Sequence, residues 1–307
     1  MKILVTGASS SSAAHLTACL AKNPTVEIFG VSRDRRQSEQ GCCRIDSVDL
    51  INEEQVTRLV ERVDPAAVFH LAASSDEADP HCLIATNISG TWNLLTACRQ
   101  NAVAKVLLIG SAASFGEMEP GESGLAASRP ARPGSFYGFS RQAQLDLGRL
   151  AFEKWGMNVF MCRPFNLIGP GLSRRYAPAA LARRMLAAKV HGDRTFPLLN
   201  ASAVRDFVDF RDAVAAYQLI VEKGQPAVPY SVGRGIGVTM AELARQIAEI
   251  IDFEVEIISD SSAAGSDRSG IQRSVADISE LTRDTGWVPV ISLAESLRDM
   301  IATIDAG

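Results

Sequence analysis

Long apolar runs, metal-ligand spacings and strong charge are all missing from this 307-residue chain. No apolar stretch approaches the roughly 18 residues a membrane-spanning helix needs, so no membrane partner is expected. Ile3-Leu4-Val5 is too short for a signal-peptide core and leads into a glycine turn. The formal net charge of −4 is too mild for a nucleic-acid or membrane surface. Six cysteines (Cys19, Cys42, Cys43, Cys82, Cys98, Cys162) show no CxxC or Cys/His spacing. Four histidines (His15, His70, His81, His191) include no i,i+4 pair. Neither a metal site nor a disulfide framework is expected, and reduced thiols point to a cytoplasmic protein. Internal repeats and low-complexity linkers are absent too.

What is present is a large apolar fraction, 47%, enough for a sizeable core in one or two domains. Strand-like and helix-like segments alternate through the first half. Lys2–Thr6, Val26–Ser32, Ala67–Leu71, Val106–Ser111 and Asn158–Pro164 read as buried strands. Ala13–Ala21, Glu53–Val63, Asn87–Gln100 and Gly138–Lys154 read as helices, with Asp64-Pro65 closing the second. Such alternation predicts an α/β fold, a doubly wound parallel sheet with helices on both faces. After Pro164 the pattern loosens around Gly169-Pro170-Gly171, Gly233-Gly235-Gly237 and the polar stretch Ser259–Ser269, and Met240–Ile251 is a strongly periodic helix. This predicts a Rossmann domain of residues 1–165 plus about 206–235, interleaved with a smaller substrate domain of 166–205 and 236–307. Ligands should lie between them, outside the carboxyl ends of the strands.

The first strand runs into Thr6-Gly7-Ala8-Ser9-Ser10-Ser11-Ser12-Ala13, where a dinucleotide fold places its phosphate turn. A three-glycine loop would have glycine at 7, 10 and 13; here Ser10 and Ala13 replace the last two. Ala13 is a mild change. Ser10 adds a Cβ where backbone approaches phosphate, and also a hydroxyl able to donate. The alternative is an ordinary strand–helix turn that has lost nucleotide binding. The second strand ends in Ser32-Arg33 and not in an acid, which suits a 2′-phosphate and favours NADP(H) over NAD(H). Alternatively, Arg35 and Arg36 are a solvated surface run. Asp49 and Leu50 are placed to touch adenine.

Tyr137-Gly138-Phe139-Ser140-Arg141 puts a cation one helical turn beyond a tyrosine. A phenol near its ordinary value of about 10 needs such help to transfer protons near neutrality. Seen together, several segments resemble the extended short-chain dehydrogenase/reductases, the nucleotide-sugar epimerase/dehydratase/reductase group. They are the serine-rich turn, Phe69–Ala73, Asn87–Leu95, Ser111–Gly116, Tyr137–Arg141, Arg163–Gly171, Arg205–Asp212 and Thr285–Pro289. The resemblance covers essentially the whole chain, except that the family has lysine where this chain has Arg141.

The resemblance implies roles. Ser111 hydrogen-bonds the reacting sugar oxygen, Tyr137 exchanges a proton with it, and residue 141 holds the nicotinamide ribose and activates the tyrosine. Cofactor contacts fall on Gly7, Ser9, Ser10, Ser11, Ser12, Ser32, Arg33, Asp49, Leu50, Leu71, Ala72, Ala73, Tyr137, Arg141 and Pro164. Asn166 and Arg205 contact the substrate diphosphate, with Arg268 a second clamp. Arg205 has an alternative, a salt bridge to Asp209 or Asp212. Arg174, Arg175, Arg183 and Arg184 reach phosphate or solvate a helix face. Ala112 and Ala113 stand where the 4,6-dehydratases carry an acid and a base, so elimination of water is disfavoured. Residues 163–171 and 204–209 most resemble the GDP-4-keto-6-deoxymannose reductases. The expected partner is thus a nucleoside-diphosphate sugar. The expected reaction is hydride transfer from a nicotinamide to a C4 ketone. Two alternatives stay open: an epimerase with retained cofactor, and a redox-impaired member that only binds. Helices 90–103 and 138–154 correspond to the family's dimer helices and imply a homodimer; Leu145, Leu150 and Phe152 there serve an interface or the core.

Overall fold

Strands that are apolar on both faces need helices on both faces, and the chain provides them. A computed structural model describes residues 1–33, 44–260 and 271–305. Its strands are β1 (Lys2–Thr6), β2 (Glu27–Ser32), β3 (Arg44–Ser47), β4 (Ala67–His70), β5 (Lys105–Ile109), β6 (Val159–Pro164) and β7 (Asn166–Ile168). They continue as β8 (Thr195–Leu199), β9 (Val204–Asp209), β10 (Pro229–Val232), β11 (Gly237–Thr239), β12 (Glu256–Asp260) and β13 (Arg273–Ser274). The helices are α1 (Ser11–Leu20), α2 (Glu53–Val63), α3 (Pro80–Ile84), α4 (Gly90–Gln100) and α5 (Phe136–Trp155). They continue as α6 (Ala177–His191), α7 (Phe210–Lys223), α8 (Met240–Ile250), α9 (Ser279–Thr285) and α10 (Leu293–Asp305).

A seven-stranded sheet has the order β10-β6-β5-β4-β1-β2-β3, and every neighbouring pair is parallel. The winding reverses between β1 and β4, which opens a crevice at their carboxyl ends. Alternate residues of β1 point to opposite faces. Ile3 and Val5 pack with Leu16 of α1, Tyr217 and Ile220 of α7 and Leu281 of α9. Leu4 packs on the other side with Val56, Leu59 and Val60 of α2, Leu94 of α4 and Leu145 of α5. Each such buried aliphatic side chain contributes about 1.5–3 kcal/mol.

A second core lies beyond the sheet. Leu181 and Met185 of α6, Leu243 and Ile247 of α8, and Leu297 and Met300 of α10 enclose Phe196 of β8. The chain leaves the main sheet after β6, pairs β7 with β9, then returns through α7 and β10 before leaving again. This loop out and back sets two lobes against each other at the strand ends.

Caps move several element ends from their sequence expectations. The Ser10 side chain accepts from the Ala13 N–H and starts α1 at Ser11. Ser135 accepts from Gly138 N–H and starts α5 at Phe136. The expected helix from Asn87 opens instead with a π-helical turn, Ala85–Ser89, before α4. Cys19, Cys82, Cys98 and Cys162 are free thiols; Cys42 and Cys43 lie outside the described residues. None of the described helices is long and apolar enough to cross a membrane.

Candidate active site

The turn after β1 depends on Gly7. Its φ is +69°, and a Cβ there would lie 2.6 Å from the Ala72 nitrogen, so only glycine fits. Ser10 is extended, at φ −83° and ψ 154°, a conformation that needs no glycine. The serines divide the work. Ser10 caps α1, Ser9 Oγ is 2.8 Å from Ser32 Oγ, and Ser11 Oγ donates to the Gly171 carbonyl at 2.7 Å. Beneath them, Thr91 Oγ1 donates to the Asn87 carbonyl, so it accepts from His70 Nε2 at 2.9 Å. His70 Nδ1 then accepts from Thr6 Oγ1 at 2.7 Å. Burial, with the Arg141 charge adding, pushes His70 down to about 3, and the ring stays neutral.

Two clefts open above this floor. A strand-end cleft of about 750 Å³ is lined by Gly7, Ser9, Ser10, Ser32, Arg33, Asp49, Leu50, Leu71, Ala72 and Ala73. Cys82 also lines it. Its thiol is held below the ordinary cysteine value, first by a hydrogen bond with Ser74, with Thr86 and Arg33 adding to the effect. An inter-lobe cleft of about 600 Å³ is lined by Ser111, Tyr137, Pro164, Asn166 and Arg205. Ser10 and Tyr176 line both clefts.

In the inter-lobe cleft, Ser111 Oγ accepts from the Ala113 N–H at 3.2 Å, so its own proton is available to donate. Tyr137 sits in the first turn of α5, where its N–H has no intrahelical acceptor and donates to Glu77 Oε1 at 2.9 Å. Gly138 explains why tyrosine and serine share one wall. A Cβ there would fall 2.4 Å from the Ala113 carbonyl oxygen, so any other residue would push α5 off the Ser111 turn. Asn166 Nδ2 donates to the Asp206 carbonyl at 2.9 Å. Arg205 donates to the Val204 and Ile271 carbonyls. Asp209 and Asp212, its alternative partners, are otherwise engaged. Asp209 binds Arg211 and Ser296, and Asp212 accepts from the Val290 and Ile291 N–H groups.

Arg141 departs from the expected ribose-facing cation. It is only 3% exposed and lines neither cleft. One terminal nitrogen donates back to the Ile109 and Gly110 carbonyls, and the guanidinium carbon lies 6.0 Å from the Tyr137 ring centroid. Its Nε and other terminal nitrogen find no partner among the described residues. The charge therefore stands behind Tyr137. Ser11, Ser12, Tyr137 and Pro164, among the expected cofactor contacts, line the inter-lobe cleft, and Arg268 lies outside the described residues. Sequence reasoning missed Gly138, Glu77 and Tyr176. Only the glycine directly after Tyr137 carried a readable signal.

Residues 3–233 match the NAD dependent epimerase/dehydratase family, and the chain belongs to that family. It is 29% identical to GDP-6-deoxy-D-mannose reductase of Pseudomonas aeruginosa over 245 residues, 78% of this chain and 80% of the relative. It is 27% identical to GDP-6-deoxy-D-talose 4-dehydrogenase of Aggregatibacter actinomycetemcomitans, covering 84% and 82%. Among solved structures it matches RMD from Pseudomonas aeruginosa complexed with NADPH, with TM-score 0.83, 26% identity and 99% of each chain covered. It also shares its fold with UDP-glucose 4-epimerase of Thermus thermophilus, with TM-score 0.86, 24% identity and 100% of each chain covered.

Proposed function

We propose that this member of the NAD dependent epimerase/dehydratase family is a nicotinamide-dependent reductase of a nucleoside-diphosphate 4-keto sugar. The observation that carries the proposal is the inter-lobe cleft, where Ser111, Tyr137, Asn166 and Arg205 line one cavity beside the strand-end cleft. The strand-end cleft fits a dinucleotide: a turn with no Cβ at Gly7, the N-terminus of α1, serine hydroxyls and Arg33 suit phosphate. Ser32-Arg33 and the resemblance to an NADPH-bound structure support NADP(H) over NAD(H).

When bound, the dinucleotide supplies the hydride. Ser111 donates a hydrogen bond to the ketone oxygen and holds it in place, keeping its own proton. Tyr137 delivers the phenolic proton to that oxygen and is reprotonated from solvent. Asn166 and Arg205 hold the sugar nucleotide's diphosphate. Ala112 and Ala113, on the same wall, carry no group able to move a proton, which supports reduction over dehydration. The test is NADPH and NADH oxidation with a panel of nucleoside-diphosphate 4-keto-6-deoxy sugars. Oxidation with at least one, faster with NADPH, is expected. No oxidation with any of them overturns the reading, and sugar interconversion without net oxidation replaces it with an epimerase.

The placement of Arg141 favours a second reading, a member that binds its ligands without redox turnover. Arg141→Lys separates the two: a large gain in rate marks an impaired native site, and a loss marks a site rebuilt around arginine. Exposed Trp92 on α4 and Leu150 and Phe152 on α5 support a homodimer through these helices, which sedimentation analysis would check. Leu145 is buried and belongs to the core.

A further inference from the structure

The four arginines after the Gly169-Pro170-Gly171 turn have separate fates. Arg184 donates to the Pro197 carbonyl and lies over the Phe196 ring. Arg174 and Arg183 line neither cleft. Arg175 enters the strand-end cleft, although it belongs to the other lobe. Its segment is tethered at the base. Ser11 Oγ donates to the Gly171 carbonyl, and His15 Nε2 to the Pro170 carbonyl at 2.9 Å. His15 also stacks on Phe210 with ring centroids 5.0 Å apart, and the Gly171 N–H donates to Thr303 Oγ1 at 3.2 Å. At the other end Tyr176 opens α6, with a proline in the first turn. Both ends being held, residue 175 faces the same cavity as the Gly7–Ser10 turn.

Among the described residues lining the cleft, the cations are Arg33 and Arg175 and the acids are Asp49 and Asp76. Arg33 follows directly after β2, where it suits a 2′-phosphate. The proton of Ser11 is directed to Gly171. The α1 N-terminus contributes only a partial positive charge. A diphosphate at that turn carries two negative charges, which a partial charge and one or two hydroxyls do not match.

We infer that Arg175 is a cofactor-binding residue supplied by the second lobe, which clamps the dinucleotide diphosphate against the serine turn. The inference rests on the dinucleotide reading above. A guanidinium suits the task because its planar fork meets two phosphate oxygens at once. The next residue, Tyr176, lines both clefts.

The test is calorimetric binding of NADPH, NADH and ADP-ribose to the full chain and to Arg175→Ala, Arg175→Lys and, as a neighbouring control, Arg174→Ala. Arg175→Ala is expected to weaken all three ligands by roughly ten- to a hundredfold. The NADPH-to-NADH affinity ratio should stay unchanged, Arg175→Lys should recover part of the loss, and Arg174→Ala should bind like the parent. Affinities within twofold of the parent in Arg175→Ala overturn the inference, as does a loss confined to NADPH, which would place the arginine at the 2′-phosphate. If the parent chain binds none of the three, the dinucleotide reading itself fails. Thermal unfolding of each variant confirms the fold.

Discussion

The strand-end cleft is lined by residues of one lobe, Arg175 and Tyr176 excepted, whereas the inter-lobe cleft is lined by residues of both. The residues that the family resemblance assigned to chemistry and to the sugar diphosphate meet in the second: Ser111, Tyr137, Asn166 and Arg205. The departures lie at the first turn of α1 and behind Tyr137. Ser10 stands at a glycine position and caps a helix, Ser11 tethers a loop of the other lobe, and Arg141 turns away into the core. The Gly7 turn is fixed by backbone, since a Cβ there would lie 2.6 Å from the Ala72 nitrogen, so the side chains that follow it can change while the turn keeps its course.

The largest effect is expected where the second cleft carries chemistry. Tyr137→Phe should lower kcat by about 10²–10⁴-fold while leaving dinucleotide affinity nearly unchanged. Steady-state kinetics beside calorimetry would show it, and equal loss of both would blur the division between the clefts.

The floor of the first cleft is expected to be acid-sensitive. His70 is neutral in the fold and titrates near 6.5 when unfolded, so the unfolded chain binds the extra proton. Stability is therefore full above about 6.5 and falls as pH drops toward about 3. Urea unfolding at pH 7 and about pH 4.5 should differ by about 2–3 kcal/mol, part of it absent in His70→Gln. An unchanged acid limb in that variant would assign the sensitivity elsewhere.

Arg205→Ala should raise the KM for the sugar nucleotide by about ten- to a hundredfold with dinucleotide affinity held. A drop in dinucleotide affinity instead would move Arg205 to the other cleft. The smallest effect concerns Arg141. Replacing this buried, incompletely paired cation by methionine should leave stability unchanged or raise it by about 1 kcal/mol, and should change dinucleotide affinity by less than about threefold. A tenfold affinity loss would show that the guanidinium reaches the ligand in solution.

Much of the architecture was readable because it rests on local pattern. The apolar runs of β1, β4, β5 and β6 and the periodic α2 and α8 announce themselves by composition, and each lies within a residue or two of its expected limits. Pairing was not readable in the same way. Nothing local to Ser9 points to Ser32, nor anything near His15 to Pro170, since these contacts join residues far apart in the chain. α4 starts three residues later than its periodicity suggests, at Gly90, because a π-helical turn precedes it and leaves little trace in side-chain periodicity.

By itself the sequence determined the doubly wound fold and the lack of a proton-transfer pair at Ala112-Ala113, because side-chain chemistry and hydrophobic period are local properties; the roles expected of Ser111 and Tyr137 came from the family resemblance. Only the tertiary structure decided where the charges go. It turned Arg141 onto the Ile109 and Gly110 carbonyls, engaged Ser11 with the second lobe, and brought Arg175 to the first cleft. A long cationic side chain can point several ways from one backbone position, and which way it points depends on the acceptors that distant parts of the chain bring within reach.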